Sequence, residues 1–194
     1  MAEPDYEWVF KSTTVEHQEA TRIVKSYRGD GICVVGDEVE IDDEGANFSR
    51  KSPQSCIQFP EEIMKYGTEP FSIAMWFKTV ANKHNSTIFG NREAGSNGEY
   101  VCLRFQRGQV AFEVDNNGDP FIGIKSPNTY YDGEWHHIVA VRNGATSTLF
   151  MDGEIVAEAT IDRVVDLNRH TTRYYAGYWF VFHSTVTCLY FAFY

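Results

Sequence analysis

Nothing in this sequence is strongly basic. Acidic residues outnumber Lys and Arg by 27 to 17 over 194 residues, for a formal net charge of -10, and no basic run or stripe interrupts the surplus. A phosphate backbone would be repelled over most of such a surface, so nucleic acid is excluded as a partner. The four cysteines, Cys33, Cys56, Cys102 and Cys188, lie far apart with no C-x-x-C pair, and zinc ribbons and thioredoxin-type chemistry find no support. They suit either disulfides or buried thiols. The start, "MAEPDYEWVFKSTT", lacks the basic residues and apolar run of a secretory signal. There is no internal repeat. No Ser or Cys stands in the Gly-flanked elbow that a nucleophilic triad needs.

What is abundant is aromatic and apolar: 15% and 43% of residues, too much for a disordered chain and weighted toward strand formers. In "FSIAMWFK", Phe71, Ile73, Met75 and Phe77 share one face of a strand. Val101, Leu103 and Phe105 align in "EYVCLRF", "QRGQ" makes a turn, and Val110, Phe112 and Val114 align in "VAFEV", so the two form a hairpin. "NNGDP" at 116–120 is the next turn. "EWHHIVAVR", between Asp132-Gly133 and Asn143-Gly144, and "STLFMDGE", closed by Asp152-Gly153, read as a further pair. On such a strand His136 and His137 point to opposite faces, one toward the core, so they do not ligate one metal together. Trp76 and Trp135 are expected in the core. "YEWVF" at 6–10 is an isolated first strand, residues 11–30 have no clear period, and only "PEEIMKYG" at 60–67 looks helical. Short strands separated by turns argue for an all-β sandwich.

The C-terminal segment is unusual. Ten of the residues from 170 to 194 are aromatic, and from Tyr174 to Tyr194 there is no Asp, Glu, Lys or Arg. That length meets the rule for a membrane-spanning helix. His, Ser and Thr in mid-segment and the density of aromatic and β-branched residues favour strands, so a membrane contact is expected at most through 174–194.

Three groups of residues bear on chemistry. Glu40, Asp42 and Glu44 in "EIDDE" would share a strand face, the spacing that lets one carboxylate attack a sugar carbon while another protonates the leaving oxygen. Asp43 and the following Gly45-Ala46 favour a solvated acidic loop instead. Asp115, Asn117 and Asp119 alternate as at the start of a calcium loop, but Pro120 and Ser126 stand where an EF-hand needs Gly and Glu, which favours a hairpin turn. Tyr130 and Tyr131, before a turn, and Asn91 and Arg92, in "FGNREAGSNGE", are candidate ligand-binding residues: a ring stacks on a pyranose while amides and guanidinium groups bond its hydroxyls. Two glycosylation sequons, Asn47-Phe48-Ser49 and Asn85-Ser86-Thr87, matter only in a secreted protein.

The order of segments resembles a known family. "SCIQFP", "FSIAMWFKT", "TIFGN", "YVCLRFQRGQVAFEV", "DGEWHHIVAVRNG" and "TLFMDGEIVAE" are similar, in sequence and in order, to the laminin G-like modules of the concanavalin A-like lectin and glucanase superfamily. The most specific piece is "GEWHHIVAVRNG" followed by "LFMDGEIV". The likeness covers about residues 6 to 165 and is strongest from 71 to 157. It implies a jelly-roll sandwich of two antiparallel sheets, one concave, over 1–169. It implies a non-catalytic module that recognises carbohydrate or glycosylated protein through rim loops. It also implies one calcium ion held near Glu99, with Asn97 beside it and Asp115 or Asp119 from the facing loop. An extracellular setting follows from the resemblance, with the chain an excerpt of a larger secreted protein, or else a cytoplasmic relative. Laminarinase-type glycoside hydrolases of the same superfamily carry an E-x-D-x-E strand, which keeps Glu40, Asp42 and Glu44 as an enzyme alternative. Adhesion without sugar recognition is a third reading. Such modules end in a strand of the type G-x-I-D-x-V-x-I-Y, and nothing like it follows Asn168. The expectation is therefore an atypical 170–194 segment, an incomplete closing strand and an exposed sheet edge.

Overall fold

The structure is a computed structural model that describes residues 3–48, 55–64, 66–80, 85–92, 98–167, 173–177 and 186–194. In chain order the strands among these residues are β1 (Tyr6–Val9), β2 (Val15–Gln18), β3 (Thr21–Lys25), β4 (Ile32–Val35), β5 (Glu40–Ile41), β6 (Ala46–Asn47), β7 (Ile57–Gln58), β8 (Phe71–Thr79) and β9 (Asn85–Gly90). There follow β10 (Glu99–Gln106), β11 (Gln109–Asn116), β12 (Phe121–Thr129), β13 (Trp135–Asn143), β14 (Thr146–Met151), β15 (Glu154–Thr160), β16 (Tyr175–Ala176) and β17 (Val186–Phe193). The expected helix at 60–67 is only a single 3₁₀ turn, Glu61–Met64, which drops Ile63 into the core.

Two antiparallel sheets face each other. The eight-stranded sheet runs β15-β14-β13-β8-β17-β6-β5, with β1 also pairing β17; the nine-stranded sheet runs β12-β11-β10-β9-β16-β7-β4-β3-β2. Alternation along β8 buries Phe71, Ile73, Met75 and Phe77 between them, opposite Val101, Leu103 and Phe105 of β10 and Val110, Phe112 and Val114 of β11. Two-residue turns with both φ positive, Arg107-Gly108, Asn117-Gly118 and Asp152-Gly153, match the twist of the hairpins they close. At Gly108 a Cβ would lie 2.4 Å from the Tyr131 ring, so the turn needs glycine for space as well as for its φ.

Two described stretches of the C-terminal segment, Tyr175–Ala176 and Val186–Phe193, are strands of the sandwich. β16 joins β9 to β7, and β17 lies between β8 on one side and β1 and β6 on the other. The expected gap in the sheet is thus filled by "VTCLYFAF", a sequence with none of the anticipated acidic-aliphatic pattern. Cys188, Phe191 and Phe193 point into the core, where Phe59 meets Trp8, Phe89, Phe191 and Phe193 at ring-centroid distances of 5.3, 5.3, 5.2 and 5.7 Å. No helix among the described residues is long and apolar enough to cross a membrane.

Candidate functional site

The segment that carries the family likeness builds a clasp between two turns. Pairing of β13 with β8 puts His136 beside Phe77 on the core side and His137 beside Trp76 on the outer side. His136 Nδ1 lies 2.8 Å from Asp152 Oδ2 and its Nε2 lies 3.1 Å from Asp132 Oδ1, while Asp152 Oδ1 accepts the His137 N–H at 2.8 Å. Tyr130 closes over the imidazole edge-on, with centroids 5.0 Å apart. Burial by itself lowers the His136 pKa, but the hydrogen bonds and charges of Asp152 and Asp132 outweigh it, and the net shift is upward. The "D-G-E-W-H-H" and "M-D-G" pieces therefore hold the β12–β13 and β14–β15 ends of the sandwich together. Their role is structural.

Of the candidate ligand-binding residues, two are turned inward. Asn91 is buried and its Oδ1 accepts the Val101 N–H at 2.8 Å, which anchors β10. Tyr130 is buried against His136. Tyr131 is exposed, its ring laid across Gly108. Arg92 is at the surface and tied into a larger cluster described below. Trp76, expected in the core, is 40% exposed on the outer face of the eight-stranded sheet and packs at a tilt against His137, with ring centroids 4.9 Å apart. The parity of its neighbours Met75 and Phe77 forces this position.

The carboxylate sets do not assemble. Only Glu40 and Ile41 of "EIDDE" are strand; Asp42 turns its Oδ1 back to the N–H groups of Glu44 and Gly45 at 2.8 and 3.0 Å. Glu44 reaches Lys78 at 2.9 Å, so Glu40, Asp42 and Glu44 share no face on which to work together. For the calcium set, cross-strand pairing aligns Glu99 with Asn116 and Tyr100 with Asp115. Glu99 and Asp115 consequently project from opposite faces of the sheet. Asp115 Oδ1 accepts the Gly118 N–H at 2.5 Å, and Asp119 is ion-paired with Arg163. Asn97 lies outside the described residues. Among those described, no three His, Cys, Asp or Glu side chains converge as a cation needs, and the described residues do not fit the ion.

A different cluster stands on the outer face of the nine-stranded sheet. Tyr100, Cys102 and Arg104 of β10 and Ala111, Glu113 and Asp115 of β11 alternate outward from the buried positions between them. Glu113 sits between two guanidinium groups: Arg92 Nη1 is 2.8 Å from its Oε2, and Arg104 Nη2 holds its Oε1. Arg92 lies over the Tyr100 ring at 4.6 Å from the centroid, which orients it face-on by cation–π attraction. The side chains of Arg92, Arg104 and Glu113 are 33%, 18% and 10% exposed, so the cluster is half-sunk rather than solvated. Next to Glu113 on β12 is Gly123, and the Phe121 ring packs into the space a side chain there would take; Phe121 is itself 44% exposed. The alternation that made Val101, Leu103 and Phe105 core also makes Arg104 and Glu113 outward. The turn at 107–108 brings them together diagonally, a signal present in the sequence.

All four cysteines are free and buried. Burial raises the pKa of Cys56 to about 11 and of Cys102 to about 12, and pushes Cys33 and Cys188 up as well, so all four are held as thiols.

With this geometry in view, the comparisons with known proteins agree. A C-reactive protein 1.4 of Limulus polyphemus is 31% identical over 90 residues, 44% of this chain and 36% of that protein. Human (Homo sapiens) usherin is 27% identical over 108 residues, 54% of this chain and 2% of its own length. The chain thus spans well under half of the curated relatives it matches. Among solved structures, the binding domain of botulinum neurotoxin serotype D superposes with a TM-score of 0.72 at 14% identity, covering 98% of this chain and 47% of that one. The serotype D ligand-binding domain in complex with N-acetylneuraminic acid gives 0.72 at 16% identity, again over 98% of this chain and 47% of the other. At such identities the likeness is one of fold. A family model of laminin G type, described as the concanavalin A-like lectin/glucanases superfamily, matches residues 51–179. This chain belongs to that superfamily, as a laminin G-like jelly-roll sandwich.

Proposed function

We propose that this chain is a non-catalytic carbohydrate-binding module that recognises a glycan or a glycosylated protein outside the cell. The observation that carries this reading is the outer face of the nine-stranded sheet, where Arg92, Arg104 and Glu113 present charged hydrogen-bonding groups beside the exposed ring of Phe121. An aromatic ring for the apolar face of a sugar next to fixed polar groups for its hydroxyls is the composition such sites use. Arg104, Glu113 and Phe121 rest on the paired strands β10, β11 and β12, so this part of the site is pre-formed and little order is lost there on binding. The superfamily and the ligand named for one neighbour, N-acetylneuraminic acid, support the same class of ligand. A glycosidase mechanism has less support, because Asp42 and Glu44 are engaged elsewhere.

The test is a glycan array probed with the purified, folded chain in calcium-containing buffer and again in chelator. Selective binding is expected, and its persistence in chelator would fit the separation of Glu99 from Asp115. Loss of binding in chelator would restore the calcium expectation. A blank array from a folded sample would overturn the reading in favour of protein adhesion.

A further inference from the structure

We infer that the Arg92–Glu113–Arg104 cluster is a subsite for the carboxylate of an acidic sugar, with Phe121 as the ring platform beside it; this rests on the glycan-binding reading above. In a chain of net charge -10, a half-sunk site with two guanidinium groups around one carboxylate is the reverse of the overall balance. Among the described residues of β10–β12 and Arg92, the outward charges Arg92, Arg104 and Lys125 stand against Glu113 and Asp115, an excess of one positive charge, and the Asp115 carboxylate is already turned to the Gly118 N–H. Removing guanidinium groups from water is costly unless their charge is matched and their N–H groups bonded. Glu113 gives one oxygen to each arginine, and the buried Nε of Arg104 has no hydrogen-bond partner among the described residues. An incoming anion supplies the missing counter-charge.

Geometry favours an anion carried on a sugar ring. The Arg92 guanidinium is held over the Tyr100 ring at 4.6 Å from its centroid, and a planar fork of N–H groups held in place matches a carboxylate in two parallel bonds. Phe121 is aligned across the sheet with Asp115 and Tyr100, so it stands two inter-strand spacings, about 10 Å, from the residue under Arg92. A single pyranose with its substituents bridges that span, its apolar face on Phe121 and its carboxylate at Arg92. Gly123 keeps the sheet low between them, where any side chain would displace the Phe121 ring by contact at 2.7 Å.

The test is calorimetric titration of the full chain with three short oligosaccharides that differ only in the terminal group: a uronic acid, its methyl ester and a neutral sugar bearing a sulfate ester. The uronic acid is expected to bind about tenfold or more tighter than the ester, as loss of a charge-assisted pair implies, and tighter than the sulfate. Arg92→Ala should reduce that preference to about twofold or less, and Arg92→Lys should restore only part of it, since an ammonium lacks the fork. Phe121→Ala should weaken acid and ester equally. The ester comparison uses the unaltered chain, so it stands even if a variant misfolds. Equal binding of acid and ester, or a preference that survives Arg92→Ala, would overturn the subsite while leaving sugar recognition intact. Equal binding of sulfate and carboxylate would overturn the assignment to a carboxylate. Binding of an acidic peptide but none of the sugars would refute both the subsite and the glycan reading.

Discussion

Phe191→Ala asks whether the C-terminal strand is truly part of this protein's core. Phe191 is fully buried, with its ring 5.2 Å from Phe59, 5.9 Å from Phe10 and 6.1 Å from Phe89, so truncation removes contacts to three aromatic neighbours anchored in different strands and loops. Those neighbours are held by the sheets and cannot collapse into the space. The lost transfer free energy and the remaining cavity together cost about 3–5 kcal/mol, a large part of the total for a domain stabilised by about 5–15 kcal/mol. With a urea slope of about 2 kcal/mol/M the midpoint should fall by about 1.5–2.5 M. Tryptophan fluorescence reads the transition, because Trp8 is buried against Phe59 and Phe193. Ile155→Ala, at an exposed position on β15, serves as the control and should cost less than about 0.5 kcal/mol. If Phe191→Ala moved the midpoint no more than the control does, β17 would be an appendage and the account of the core would be wrong.

The His136 clasp makes stability depend on pH. A histidine whose pKa is raised in the folded state contributes stability that is complete below its unfolded value of about 6.5 and is lost as pH rises through the folded value. Asp132, whose pKa is lowered first by the Glu134 N–H and then by His136, contributes above about pH 3.9 and ceases to do so as pH falls through its folded value. His136 therefore makes the melting temperature decline from about pH 6.5 toward pH 8, while His137, whose pKa burial lowers, acts in the opposite sense by costing stability as pH falls below about 6.5. His136→Asn should remove the decline above about pH 6.5, and an unchanged slope in the variant would exclude the clasp as its source. Arg142 is a buried guanidinium that donates to the Val165 carbonyl at 2.9 Å and to the Glu69 carbonyl, and burial lowers its pKa to about 10. Arg142→Leu leaves both carbonyls without that donor and should cost about 2–5 kcal/mol in urea titration; a loss under about 1 kcal/mol would contradict this role. The four thiols should resist a water-soluble thiol reagent in the folded chain and all react once it is unfolded, whereas rapid labelling of any of them in the folded state would contradict its burial.

Much of this fold was legible where alternation and turn chemistry agree. At the Gly-containing turns 107–108, 117–118, 143–144 and 152–153 the strand ends are marked in the sequence, and apolar side chains two apart, such as Val101, Leu103 and Phe105 opposite Val110, Phe112 and Val114, mark the inner face. The N-terminal strands were hidden for a physical reason. β2 has no buried residue and β3 buries only Ile23 and Val24, so edge strands that are mostly wet carry little pattern. β17 was obscured by a register shift between Cys188 and Tyr190, which breaks the two-residue period and leaves Cys188, Phe191 and Phe193 inward at uneven spacing. Its apolar composition said that it was buried, not where.

The candidate site was half legible. Arg92 is legible in the sequence as a candidate ligand-binding residue in a glycine-rich stretch, whereas Arg104 and Glu113 carry only the signal of their position between core residues, and Phe121 carries none that separates it from a core aromatic. Trp76 is outward despite its hydrophobicity because the parity of the strand it sits on puts Met75 and Phe77 inward. Asn91 and Tyr130 are polar residues near turns whose groups the fold itself consumes, and only the three-dimensional pairing separates them from ligand-binding residues. Within the calcium set, only the three-dimensional pairing of Tyr100 with Asp115 reveals that Glu99 and Asp115 stand on opposite faces.

The most direct test of the account is to follow the backbone amide signals of the isotopically labelled chain by nuclear magnetic resonance while adding an acidic oligosaccharide that the array selects. The account predicts that the largest shifts fall on Tyr100, Arg104, Glu113, Phe121 and Gly123, on the outer face of the nine-stranded sheet. Shifts confined to Tyr131 and its turn, or to Trp76 and His137 on the opposite sheet, would contradict it.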